Sequence, residues 1–293
     1  MHYTGKLEIE DSFLLYEEWG NADGIPIIFL HGGPGLGCSD SDKIYFDPNH
    51  HRVIFLEQRG SVHNPALSLP LIRPFLMVED IRILLDKLQV EKVHIFGGSW
   101  GATLAMLFAI AYPKKVASLI LRGSFTGEKA MIRSMLDGHN KCPCWLEFTN
   151  EIPPGLKHAP ESFYFNKLQE NDAAIRYTYA RKWSQYAYCL NRQPQQKFIV
   201  DENVVSKALL TAYFCINNCF LPEQYIRIQV SKLRSIPTWF VHGIHDLICP
   251  LNLLLPIINT HPKATLIEVN AGHFAHEPAI ESTLIKLVQS VYK

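Results

Sequence analysis

The chain has 293 residues, 47% apolar and 19% charged, which is ample for one large α/β core and excludes a disordered or fibrous protein. Its 28 basic and 28 acidic residues cancel and no basic block stands out, so no nucleic-acid partner is expected. The most apolar helical run, residues 104–111, is too short for a bilayer, and residues 1–6 lack an apolar signal core. A cytoplasmic location with no membrane partner is therefore the expectation.

Residues 7–18 mix apolar and acidic side chains and read as an opening hairpin. Residues 25–30 read as a buried strand ending at His31-Gly32-Gly33-Pro34-Gly35, and residues 52–56 as another ending at Glu57-Gln58-Arg59-Gly60. Residues 77–88 carry a helical stripe of Val78, Ile81, Leu84, Leu85 and Leu88. A strand over 92–96, a tight turn and an apolar helix from Ala102 follow, then a strand over 116–121. Short apolar strands alternating with helices imply a mostly parallel sheet with helices on both faces. The rhythm breaks after Phe125. Residues 126–232 are rich in aromatics, Asn, Gln and Cys, and read as an inserted helical cap between core segments 1–125 and 233–293. Strands over 236–241 and 264–269 and a last helix over 279–291 resume the pattern.

The seven cysteines are odd in number and scattered, which argues against a disulfide framework. Cys142, Cys144, Cys215 and Cys219 lie in one region with His139 and His158. Their spacing matches no common zinc site, so free thiols and no metal are expected.

Gly97-Gly98-Ser99-Trp100-Gly101 joins the 92–96 strand to the following helix. G-x-S-x-G at a strand-to-helix turn is a nucleophile elbow. A serine hydroxyl needs a base, and the base an orienting acid, which in this arrangement follow in the order Ser, Asp, His. Asp246 follows the strand ending at Val241, and His273 follows the one ending at Val269. All three candidates thus sit at strand C-termini, where open α/β sheets place their sites. His245 is a decoy beside Asp246. The backbone N–H of Trp100 and one from Gly33, with Gly32 as alternative, are the expected oxyanion donors. A non-catalytic ligand binder on the same scaffold is the rival reading; it has no need of all three residues.

These motifs resemble those of the proline iminopeptidases of the α/β-hydrolase fold. The resemblance rests on His31-Gly-Gly-Pro-Gly, Tyr45-Phe46-Asp47-Pro48, Gln58-Arg59-Gly60, Gly97-Gly98-Ser99-Trp100-Gly101, Leu121-Arg122-Gly123 with Phe125, His242-Gly243 with Asp246 and Cys249-Pro250, and Gly272-His273 with Glu277-Pro278. It implies a cofactor-free, metal-free cytosolic enzyme that removes N-terminal proline from small peptides through an acyl-enzyme. Arg122, Phe125, Trp183, Tyr186, Gly32 and Glu277 are the expected substrate contacts.

The departures fall in the cap. The family's W-S-x-W-E glutamate, which implies a contact to the substrate amine, is matched by Trp183-Ser184-Gln185-Tyr186-Ala187, so Ala187 stands in its place. A second family acid, before H-Y-F, has no counterpart in Leu210-Thr211-Ala212-Tyr213-Phe214. Glu147, Glu151, Glu161, Glu170 and Glu277 are left to take the amine role. Otherwise the site suits an esterase or amidase acting on small uncharged substrates. In the core, Glu57 and Val62-His63-Asn64 also depart from the family pattern.

Overall fold

A computed structural model describes residues 2–10, 12–137, 144–191 and 199–292. Eight strands form one sheet: β1 (His2–Ile9), β2 (Ser12–Gly20), β3 (Ile25–Leu30), β4 (His51–Leu56), β5 (Val93–Gly98), β6 (Val116–Arg122), β7 (Thr238–Gly243) and β8 (Ala264–Val269). Their spatial order is β1-β2-β4-β3-β5-β6-β7-β8. β1 pairs antiparallel with β2 and β2 with β4, and every other pairing is parallel.

The apolar strands bury both faces, and their period-two alternation divides the core in two. Ile28, Leu30, Ile54 and Leu56 pack toward α1 (Pro74–Lys87), α2 (Trp100–Ala111) and α9 (Leu251–Thr260). Ile27, Phe29, Val53, Phe55 and Phe96 face α10 (Pro278–Val291) and the turn carrying Tyr45 and Phe46. α2 is buried from Trp100 to Ile110 because it lies between the sheet and the outer elements. α9 is absent from the sequence reading; Pro256 inside it masks the helical signal.

The insertion between β6 and β7 holds α3 (Lys129–Leu136), α4 (Trp145–Thr149), α5 (Pro160–Lys167), α6 (Ala173–Leu190), α7 (Glu202–Ile216) and α8 (Tyr225–Gln229). Asp172 and Asp201 cap the two long helices by accepting from Ala174 N and Val204 N. Phe148 stacks between Tyr164 and Tyr186, with ring centroids 4.4 and 4.1 Å away, and these rings are continuous with the apolar cluster that holds α1 and α2. α8, at the end of the stretch assigned to the cap, packs on α2 and α9. Cys38, Cys189, Cys215, Cys219 and Cys249 are free thiols; His139 and Cys142 lie outside the described residues. Among the described residues no single helix is long and apolar enough to cross a membrane.

Candidate active site

Ser99 sits between the end of β5 and the first residue of α2 with φ 55° and ψ −116°. A positive φ at a non-glycine costs about 1–3 kcal/mol and persists only where neighbours enforce it. Here Ser99 N donates to Arg122 O at 2.8 Å, and Ala102 N donates to Ser99 O at 3.0 Å. Gly101 lets α2 press on β3, since a Cβ there would stand 2.0 Å from Leu30 O.

His273 Nε2 lies 3.0 Å from Ser99 Oγ, and His273 Nδ1 lies 2.7 Å from Asp246 Oδ2. The other oxygen, Asp246 Oδ1, accepts from Ile248 N at 2.9 Å and Cys249 N at 2.8 Å. Asp246 therefore closes its own turn with one oxygen and orients the imidazole with the other. Burial works against its charge, but the His273 imidazole and these hydrogen bonds hold its carboxyl below the usual range. His245 turns away, its Nε2 2.9 Å from Asn270 Oδ1. His242 lies 3.6 Å from Asp246 Oδ2, but its Nε2 donates to Cys249 O at 2.7 Å, and burial lowers its pKa. Donor atoms of Asp246, Cys249 and His273 lie within 4.8 Å of one another. They do not suit a metal: burial pushes the Cys249 thiol well up, and Asp246 already receives the imidazole N–H.

Four further residues hold the histidine, none assigned this role from the sequence. Gly123, with φ +50°, lies against the His–Asp pair; a Cβ there would be 3.0 Å from His273 Nδ1. Arg122 Nη1 donates to His273 O at 2.8 Å. Asn191, after α6, accepts from His273 N at 3.1 Å and donates through Nδ2 to Ala187 O at 2.8 Å, tying cap to core. Glu277 accepts Gly272 N at 2.8 Å and Phe274 N at 2.9 Å, clamping the loop on both sides of His273. Expected as a substrate contact, its carboxylate is instead spent on backbone.

The loops after β3, β4 and β5 are locked together. Gln58 N donates to His31 Nε2 at 3.1 Å, which places the imidazole proton on Nδ1, 2.9 Å from Gly32 O. Gln58 Nε2 donates to His31 O at 2.8 Å, and Trp100 Nε1 donates to Gln58 Oε1 at 3.1 Å. The Trp100 ring meets Phe214 of α7 edge-on at 4.9 Å. Gly33 has φ +118° and shares a cavity wall with Ser99, while Gly32 lies against Ser99, where an added Cβ would stand 3.5 Å from Ser99 Cβ. Trp100 N is in the first turn of α2, where helix geometry supplies no acceptor.

A cavity of about 310 Å³ opens over Ser99. Gly32, Gly33, Arg122, Trp183, Tyr186 and His273 are in its wall; Phe125 is not, and its carbonyl accepts from Thr103 Oγ1 at 2.5 Å. Ser184, Ala187, Lys207 and Thr211 face it from α6 and α7. No Asp or Glu lines it among the described residues. Glu151 pairs with Lys182 at 2.6 Å, Glu161 with Arg133 at 2.5 Å and Glu170 with Lys167 at 3.2 Å; Glu147 is exposed on α4. Glu57 and His63, both departures from the family pattern, meet at 2.9 Å.

Sheet order, elbow and the Ser-His-Asp alignment define an α/β hydrolase. The sequence profile of the α/β hydrolase fold matches residues 25–279. A proline iminopeptidase of Arabidopsis thaliana is 33% identical over 295 residues, covering 96% of this chain and 78% of that one. The Neisseria gonorrhoeae proline iminopeptidase is 30% identical over 300 residues, covering 99% and 96%. The chain belongs to the proline iminopeptidase family. Among solved structures, a proline iminopeptidase-related protein of Thermus thermophilus superposes with TM-score 0.65 at 17% identity, covering 100% of this chain and 99% of that one. An esterase of Exiguobacterium antarcticum does so with TM-score 0.63 at 16% identity, covering 99% and 100%. These last two likenesses speak for the fold alone.

Proposed function

We propose that the chain is a serine hydrolase that cleaves an ester or amide of a small molecule or peptide through an acyl-enzyme on Ser99. The observation that carries this reading is the hydrogen-bonded line from Ser99 Oγ through His273 to Asp246, of which Ser99 and His273 line the cavity. His273 Nε2 takes the hydroxyl proton as Oγ attacks the carbonyl. Asp246 holds the Nδ1–H tautomer and stabilises the imidazolium. The N–H groups of Trp100 and Gly33 receive the oxyanion. His273 then protonates the leaving group, and water, deprotonated by the same nitrogen, releases the acyl product. The chain works in the cytoplasm without metal or cofactor on this reading.

Kinship with proteins named proline iminopeptidase supports N-terminal proline amides as substrates. The cavity wall favours a second reading, esters or amides without a free ammonium, because Ala187 lies in it and, among the described residues, no carboxylate does. An ammonium buried without its partner costs about 3–5 kcal/mol, roughly two to four orders of magnitude in kcat/KM. The test is kcat/KM on proline β-naphthylamide and p-nitrophenyl butyrate, with Ser99→Ala as control and fluorophosphonate labelling read by intact mass. Labelling lost in Ser99→Ala supports the mechanism; turnover retained by that variant refutes it, and a wild-type chain that neither labels nor turns over is a binder. Ester turnover with little proline amide turnover selects the second reading, and the reverse selects the first.

A further inference from the structure

Lys207 lies on α7 with its neighbours Ala208 and Thr211, and all three contribute to the cavity over Ser99. Lys207 also borders the outer hollow of about 770 Å³ that adjoins this cavity, and the two share Leu36, Tyr188, Lys207 and Phe274. It therefore stands at the neck between them. The side chain is half-buried and has no carboxylate partner among the described residues.

The surrounding charges do not neutralise it. Arg122 adds a second positive group to the same wall. Asp42 and Glu277 border the outer hollow only. Asp42 Oδ2 is taken by Ser39 N at 2.8 Å and Ser39 Oγ at 2.9 Å, and Glu277 by the two backbone N–H groups that clamp the His273 loop. The rest of the wall is mainly apolar, with Trp183, Tyr186 and Leu190.

A substrate that fills this cavity strips water from Lys207. An uncharged substrate returns nothing for the lost hydration, and an ammonium adds like-charge repulsion. A carboxylate replaces the water with a charge-assisted hydrogen bond. We infer that the site takes esters or amides that carry a carboxylate, with Lys207 as the residue that selects them. This inference rests on the serine hydrolase reading and deepens it.

Two pairs, each differing by one carboxylate, test it. In the acyl pair, mono-p-nitrophenyl glutarate is compared with p-nitrophenyl pentanoate. In the leaving-group pair, 4-acetoxybenzoate is compared with phenyl acetate. The expected result is a kcat/KM ratio of about tenfold or more in favour of the anion in at least one pair, the size of one charged hydrogen bond. Lys207→Met lowers that ratio about tenfold and Lys207→Arg keeps it, with thermal melts reporting that both variants fold. Absence of anionic preference in both pairs, or a ratio that Lys207→Met leaves unchanged, overturns the inference while ester turnover still supports the hydrolase. Absence of any ester turnover together with no fluorophosphonate labelling removes the hydrolase reading, and this inference with it.

Discussion

The loops beyond β3, β5, β7 and β8 face the cap helices α6 and α7 across one cavity, and the two sides are built differently. On the core side each candidate group is held through its main chain or its own turn: Ser99 N by Arg122 O, Asp246 by two N–H groups of its own turn, and the His273 loop by N–H groups that donate to the Glu277 carboxylate. On the cap side the cavity is faced by side chains on helix surfaces, at Trp183, Ala187, Lys207 and Thr211. A backbone lattice tolerates few substitutions without losing alignment, whereas a helix-surface residue can change with little effect on the helix. The core side resembles the proline iminopeptidase pattern and the cap side departs from it, so the proposed function places chemistry and selectivity on opposite walls.

The largest test of this contrast is Ser99→Ala. We expect kcat to fall on the order of 10⁶-fold with the melting temperature nearly unchanged, as when the nucleophile of such a unit is removed. Gly123→Ala comes next. Its Cβ would sit 3.0 Å from His273 Nδ1, and the displaced imidazole should cost about 100-fold in kcat with KM little changed. An effect under threefold would mean that the core side is less tightly aligned than its hydrogen bonds indicate.

On the cap side, Ala187→Glu puts a carboxylate into the cavity wall. We expect kcat/KM on proline β-naphthylamide to rise about tenfold or more through a charged hydrogen bond; no gain would mean that the missing acid is not what limits that substrate. Asn191→Ala cuts the bond between the walls and should lower kcat about tenfold, with a stability loss of about 1–2 kcal/mol in urea unfolding. Equal loss in Asn191→Asp, whose Oδ1 can still accept from His273 N, would argue against a positioning role.

The smallest effect is on stability against pH. Burial lowers the His31, His94, His242 and His261 pKa values, and that of His94 falls to about 4, with Lys92 and His51 adding to burial. Each folded value lies below the unfolded one, about 6.5. The stability these histidines contribute is therefore fully present above pH 6.5 and lost as pH falls toward their folded values. Melting temperature should drop progressively between pH 7 and 5, and His94→Asn should flatten that slope. A rising melting temperature over this range would contradict burial of neutral imidazoles.

Much of the core could be read from residue order. Runs such as 25–30 and 116–121 leave no polar face, which forces a two-sided sheet, and the Gly-rich elbow between 92–96 and an apolar helix admits few other geometries. The positions of Asp246 and His273 after strands followed from the same logic. The roles of Gln58, Gly123, Asn191 and Glu277 did not, because each acts on a backbone atom or ring brought near only by folding. Gln58 meets Trp100 across 42 positions, and Asn191 meets His273 across 82.

The sequence by itself determined the sheet, the elbow and the order of the three candidate groups, because strand patterning and a glycine-bounded turn are local properties of the chain. Only the tertiary structure decided that Ala187, Thr211 and Lys207 share a wall with Ser99 and that Phe125 does not. It also decided that the glutamates left open for an amine lie elsewhere or are already engaged. Pocket electrostatics is a sum over residues distant in sequence, and helix packing sets which of them count.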